Sequence, residues 1–339
     1  MAALPVCPDA LLDENGQPRL GAYAGRMKDT SLTRLAGPPG WREGLERLTT
    51  EKRWHYVCVA TPELFVGGAI VMLGYMANAF VYVFDRREKR MLAEKSMLVP
   101  PQLVEIDDLA AEARAKMRRL RSKMRVEASV KAGRFISELS GGPFVEIWLR
   151  EGAPVALTAA CSLAAEGGGI GMTQKTVCMP ADGEVRVGKR VFKIEGALAG
   201  LDYTHGFLAR ETRWRWAQAS GRLPDGRLLG LNLVEGHNDG EVTENGLWIG
   251  DELTQPGHAH FEFDDADPMR PWRITTDDGR VDLRFVPEGK RAEDIDLKLV
   301  VSQYVQPMGT FDGIVKDAQG GILEVAGLPG VVERHRARW

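Results

Sequence analysis

Leu64-Phe65-Val66-Gly67-Gly68-Ala69-Ile70-Val71-Met72-Leu73-Gly74-Tyr75-Met76-Ala77-Asn78-Ala79-Phe80-Val81-Tyr82-Val83-Phe84 is a run of 21 residues without a charge. It has two readings. As a helix it is long enough to span a bilayer, and the basic flank Asp85-Arg86-Arg87-Glu88-Lys89-Arg90 suits a cytoplasmic edge. As strands it forms a buried hairpin. Val, Ile, Phe and Tyr favour strands. Gly67, Gly68, Gly74 and Asn78 weaken a helix. Gly74 to Asn78 sits between two apolar runs of strand length, where a turn belongs. The hairpin is therefore expected, and with it an all-β chain.

An internal repeat strengthens that reading. Arg53-Trp54-His55-Tyr56 is similar to Arg213-Trp214-Arg215-Trp216. Gly68 to Gly74 is similar to Gly230 to Gly236, and Asn78 to Tyr82 to Asn245 to Ile249, in the same order. The counterpart of the apolar run, 228–249, carries Glu235, His237, Asp239, Glu241 and Glu244 and could not cross a membrane. Two related β-units are predicted, the first over 1–198 and the second over 199–339. Elsewhere short alternating stretches recur between turns such as Asp182-Gly183, Gly188-Lys189, Asp225-Gly226 and Asp277-Asp278-Gly279, the rhythm of a sandwich or barrel. One exception is expected. Glu105 to Arg121 is Ala-rich, acidic at its start and basic at its end, which predicts a short inserted helix.

Composition narrows the function. The 339 residues are 44% hydrophobic and 27% charged, with 44 Lys and Arg against 47 Asp and Glu. That is the profile of an ordinary globular protein, without the basic excess of a nucleic-acid binder. Cys7, Cys58, Cys161 and Cys178 are too scattered for a zinc site or a redox dithiol and fit a reducing, cytoplasmic compartment. The N-terminus, Met1 to Val6, has neither the basic nor the apolar region of a secretory signal. No phosphate-cradling loop, nucleophile elbow or other cofactor motif is present, so no cofactor is expected. His258-Ala259-His260 places two imidazoles on one strand face without an evident third ligand, and no metal is expected.

Two clusters remain. Asp202, Tyr203 and His205 put an acid, a phenol and an imidazole within four residues, just ahead of Trp214 and Trp216. If those rings face a cavity, a nearby carboxyl is desolvated and becomes a usable general acid; equally, the acid orders a turn and the rings fill a core. In the second cluster, Glu235 shares a strand face with Leu231 and Leu233, beside Asn232 and with Glu333-Arg334-His335 at the tail. A carboxyl on an apolar face is paired or functional, and Arg213, Arg215 or a C-terminal Arg could pair with it. Asn232 and Trp248 join Trp214 and Trp216 as candidate ligand contacts.

At these residues the chain resembles a bacterial family known as domain of unknown function 2804. The resemblance rests on Trp54-His55-Tyr56, Pro62 to Phe65, Leu73-Gly74-Tyr75, Asn78-Ala79-Phe80 and Tyr82 to Asp85. It continues through Asp202-Tyr203-Thr204, Thr212 to Trp216, Asn232 to Gly236, Pro271-Trp272-Arg273, Gln306 to Phe311 and Glu333 to Trp339. More distantly, Asp202 to Gly206, Arg215-Trp216-Ala217 and Asp225-Gly226-Arg227 look like the join between barrels in two-domain lipocalin-like proteins, which include carotenoid hydratases, tocopherol cyclases and a lipid-binding survival-factor family. That likeness implies two tandem calycin-type antiparallel β-barrels and an apolar, lipid- or isoprenoid-like ligand in a barrel cavity, either carried or acted on by acid-catalysed hydration, cyclisation or isomerisation; the alternative is a structural β-protein with filled barrels. It implies that Asp202 stands where the hydratases hold an alkene-protonating Asp. Gly200 and Tyr203 stand where those enzymes have Tyr and His. Such a ligand is compatible with peripheral membrane contact; the oligomeric state is left open.

Overall fold

The structure is a computed structural model that describes residues 3–35, 44–129, 132–296, 298 and 300–339. The apolar run folds as a hairpin of strands Leu64–Met72 and Ala77–Asp85, in register from Leu64 opposite Asp85 to Met72 opposite Ala77. Gly74 makes the turn with φ +87°, and a Cβ there would lie 1.9 Å from the Leu48 carbonyl oxygen. Only glycine avoids both penalties. No helix among the described residues is long and apolar enough to cross a membrane.

The run lacks charge because both of its faces are covered. Val66, Ile70, Ala79, Val81 and Val83 point into the first core. Phe65, Ala69, Phe80, Tyr82 and Phe84, on the opposite face, pack in a separate cluster against Trp216, Val234, Met308 and Val331 of the second half. Alternating side chains thus serve two cores at once.

Among the described residues, thirteen strands form one antiparallel sheet and nine form another, the first curled into a near-barrel and the second into a half-barrel. Each curls around its own core. The repeat is visible in their strand order. In the first sheet, Glu51–Ala60 leads a meander through Leu64–Met72, Ala77–Asp85 and Arg90–Val99. Its other edge pairs with Arg190–Phe207, which pairs in turn with Ile170–Val187. In the second sheet, Glu211–Arg222 leads Leu228–Glu235, Gly246–Ile249 and Glu252–Thr254. Its other edge pairs with Ile322–Arg338, which pairs with Val301–Lys316. The chain passes from one sheet to the other between Phe207 and Glu211.

Two expectations are corrected. The helix expected over 105–121 is absent: Val104–Ile106 and Arg114–Arg119 are strands, joined through a 3-10 turn at Ala110–Glu112. Arg114–Arg119 pairs with Ser122–Ala128, which sends Ala115 and Met117 into the first core and leaves Arg114, Arg118 and Arg119 exposed. Sheet pairing overrides the helical propensity of the composition. The described helix is Gly44–Thr50 instead. Asp182-Gly183 is likewise no turn. It lies within Ile170–Val187, where the register shifts between Ala181 and Gly183. A Cβ at Gly183 would sit 2.2 Å from the Glu146 carbonyl oxygen, so glycine here marks a close backbone approach.

Candidate functional site

The candidate site lies between the two sheets, lined by their outer faces, rather than inside a barrel as the sequence reading anticipated; the inner faces carry the two apolar cores. Strand alternation selects its residues. In Arg190–Phe207, Leu201 and Tyr203 point into the first core, so Asp202 and Thr204 face outward. Asp202 stands opposite Tyr56, and Thr204 opposite Trp54. In Ile322–Arg338, Val332 points into the second core, so Glu333 and His335 face outward. Glu333 stands opposite Trp216, and His335 opposite Trp214. The repeat matches Trp54 and Tyr56 to Trp214 and Trp216, so Asp202 and Glu333 occupy equivalent positions in the two halves.

The halves meet at these residues. The rings of Trp54 and Trp214 stack at 6.2 Å between centroids, inclined by 17°. Each indole serves the carboxyl of its own half: Trp54 Nε1 donates to Asp202 Oδ2 at 3.3 Å, and Trp214 Nε1 to Glu333 Oε1 at 2.7 Å. The cleft between them measures about 210 Å³. Its walls include Trp54, Tyr56, Val71, Phe80, Trp214, Trp216, Val234 and Trp339.

The two carboxyls stand in unlike surroundings. Asp202 accepts from Thr204 Oγ1 at 3.0 Å and Thr173 Oγ1 at 3.3 Å, and pairs with Lys175 Nζ at 2.8 Å. Lys175 also binds Glu244 at 2.7 Å. Burial works against that ammonium, but Asp202 and Glu244 outweigh it and hold the pKa of Lys175 above its usual value. Glu333 accepts from Gln306 Nε2 at 2.9 Å, and Gln306 Oε1 in turn accepts from the Tyr82 hydroxyl at 2.9 Å. Burial pushes the pKa of Glu333 from 4.5 up to about 7, despite the opposing hydrogen bonds from Trp214, Gln306 and Tyr304. Burial likewise pushes His335 down to about 3, with Arg291 adding to the effect. The buried Arg291 guanidinium lies 4.0 Å from the centre of the Phe80 ring and 5.0 Å from that of Tyr304, and pairs with Glu94 and Glu293.

Of the residues singled out from the sequence, Asp202, Trp214 and Trp216 come together in this cleft. Asn232 stands behind it, accepting from Trp216 Nε1 at 2.8 Å and donating to the Glu244 carbonyl at 2.8 Å. The others lie elsewhere. Tyr203 points into the first core, where its hydroxyl meets Thr30 at 3.0 Å and the Asp107 carbonyl at 2.9 Å. His205 is fully buried between the Thr30 carbonyl and Glu51. A strand's period of two separates these two from Asp202. Glu235 pairs with Arg215 at 3.1 Å, which is the structural alternative raised from the sequence. Trp248 is buried on another face and donates to the Val155 carbonyl at 2.7 Å. His258 contacts Asp239 at 3.1 Å, and no cluster of three or more potential metal ligands occurs among the described residues. The four cysteines are free.

Glu333, Lys175, Trp54 and His237 line the cleft without having been chosen as site residues. One signal for Glu333 was present: it lies in the closing segment, which had been noted as a cluster. Extending the repeat to each half's last strand would have matched it to Asp202.

The family model for domain of unknown function 2804 matches residues 6–339. The chain belongs to this family. No curated protein matches it. Among solved structures, this member of the family is similar to kievitone hydratase from Nectria haematococca, with a TM-score of 0.53 at 11% identity, covering 86% of this chain and 91% of that one. It is also similar to an AttH-type protein from Nitrosomonas europaea, with a TM-score of 0.42 at 11% identity and coverage of 90% and 96%. The first likeness establishes a shared lipocalin-like fold.

Proposed function

We propose that the protein binds an apolar small molecule in the cleft between its two sheets and catalyses a proton-transfer reaction on it, with Glu333 as general acid. One observation carries the reading. Glu333 is a buried carboxyl whose pKa is raised to about 7, and it opens on a cleft walled by aromatic rings. A catalytic acid works best with a pKa near the operating pH. The resemblance to the hydratases assigns proton donation to Asp202, but here Asp202 is engaged by the Lys175 ammonium. The equivalent carboxyl of the second half has no such partner and takes the role.

In the proposed reaction Glu333 gives its proton to an unsaturated carbon of the substrate. The cation that forms lies against the faces of Trp214 and Trp216, which attract positive charge. It is discharged by adding an oxygen nucleophile or by losing another proton. That is hydration, cyclisation or isomerisation, the class the resemblance implies; a hydratase of the same fold agrees by analogy only.

The test is native mass spectrometry with organic extraction, followed by assay of whatever apolar compound is recovered. The wild type is expected to convert it with a rate that falls above about pH 7, as Glu333 loses its proton. Glu333→Gln should still bind it but turn it over at least 100-fold more slowly. Val71→Trp, which fills the cleft, should abolish binding. Full binding by Val71→Trp would remove the ligand from this cleft. Binding with no conversion by the wild type would make the protein a carrier.

A further inference from the structure

A second proton-handling group opens on the same cleft. Gly236 has φ +86° and Asn238 φ +50°, and the turn they make brings His237 back over the indole of Trp214, with 6.1 Å between ring centroids. His237 is 5% exposed. Its Nδ1 lies 2.7 Å from Glu166 Oε2, and the other oxygen of Glu166 accepts from the Asn238 backbone N–H at 3.1 Å. A carboxylate can only accept, so Nδ1 carries the proton; in the neutral ring Nε2 is then the acceptor. Nε2 is buried, has no hydrogen-bond partner, and belongs to a residue lining the cleft. An imidazole oriented by a carboxylate through Nδ1, with Nε2 unpartnered in a side chain that borders the cleft, is the arrangement of a proton acceptor. A buried acceptor without a partner costs stability, so its retention here asks for a donor supplied by the ligand.

We infer that His237, held by Glu166, is a catalytic residue that accepts a proton from a hydroxyl group on the ligand. The inference rests on the proposed function and adds a substrate class: an apolar body bearing an O–H at the His237 end. Trp214 stands between the two groups, bonded to Glu333 and packed against His237. The protons balance. Glu333 gives one to carbon. The ligand hydroxyl gives one to Nε2 as its oxygen adds to the cationic carbon beside the protonated one. The imidazolium is then stabilised by Glu166, and return of its proton to Glu333 through solvent restores both groups.

Two probes of matched length test the inference, decan-1-ol and methyl nonyl ether, since only the alcohol can donate. Isothermal titration of the wild type should give about tenfold tighter binding of the alcohol, the range of one hydrogen bond. His237→Phe should erase that preference, and Glu166→Gln should reduce it while retaining shape. Long-range 1H–15N spectra of histidine-labelled wild type should show His237 protonated at Nδ1 only, with the Nε2 resonance moving when decan-1-ol is added. That readout does not depend on any variant folding. Equal binding of the two probes, or an Nε2 resonance indifferent to the alcohol, overturns the role of His237 and leaves the apolar cleft standing. Failure of both probes to bind overturns the cleft reading and this inference together.

Discussion

Asp202 and Glu333 are the same position in two copies of one fold, and their surroundings differ in charge. Each faces outward from the last strand of its half, opposite the second aromatic of a repeated motif, and each accepts from the indole of the first. Beside Asp202, the neighbouring strand supplies Lys175 and Thr173. Beside Glu333, the corresponding strand supplies Gln306 and Tyr304. A duplicated scaffold delivers two carboxyls to one cleft, and the adjacent strand decides what each can do. The comparison teaches that a carboxyl's chemistry belongs to its neighbours more than to its backbone position.

Removing the cation should have the largest effect. Lys175→Met leaves Asp202 and Glu244 buried without their shared ammonium and should cost about 3–5 kcal/mol of stability in urea unfolding at neutral pH. A cost near zero would mean that the two halves are electrostatically alike after all. Glu333 supplies the next largest effect. The folded state holds its proton more tightly than the unfolded state does. Its stabilising contribution is therefore complete below pH 4.5 and lost as pH rises through about 7. The loss amounts to about 3 kcal/mol, to order of magnitude. Stability curves across pH 4–8 should show this fall in the wild type and lack it in Glu333→Gln.

The paired tryptophans sharpen the contrast. Trp214→Phe removes a donor that favours the ionised carboxylate and should move the titration of Glu333 upward by about one unit in carboxyl 13C spectra. Trp54→Phe, on the Asp202 side, should leave that titration in place and cost about 1 kcal/mol of stability. Thr204→Val should have the smallest effect, about 1 kcal/mol or less, because Asp202 keeps Lys175 and Thr173.

Much of this frame was legible along the chain, and the failures have a common cause. The hairpin at Leu64 to Phe84 and the doubled aromatic motif are local patterns, and both appear in the structure. The segment 105–121 misled because its composition favours a helix while its partner strand, Ser122–Ala128, decides otherwise. The cluster of Asp202, Tyr203 and His205 misled because nearness in sequence is not nearness in a strand: Asp202 faces the cleft, and Tyr203 and His205 face away.

By itself the sequence determined the all-β architecture and its internal duplication, and it singled out Asp202, Trp214 and Trp216, which share one cleft. Those depend on hydrophobic periodicity, turn residues and repeated motifs, which short stretches of chain carry. The tertiary structure alone decided that the cavity lies between the barrels, that Lys175 belongs to Asp202, and that Glu333 and His237 share the cleft with them. These are contacts between residues far apart in the chain, 119 positions between Trp214 and Glu333 and 224 between Tyr82 and Gln306. Burial and desolvation, which set the proton affinity of Glu333, exist only once both sheets have closed over the site.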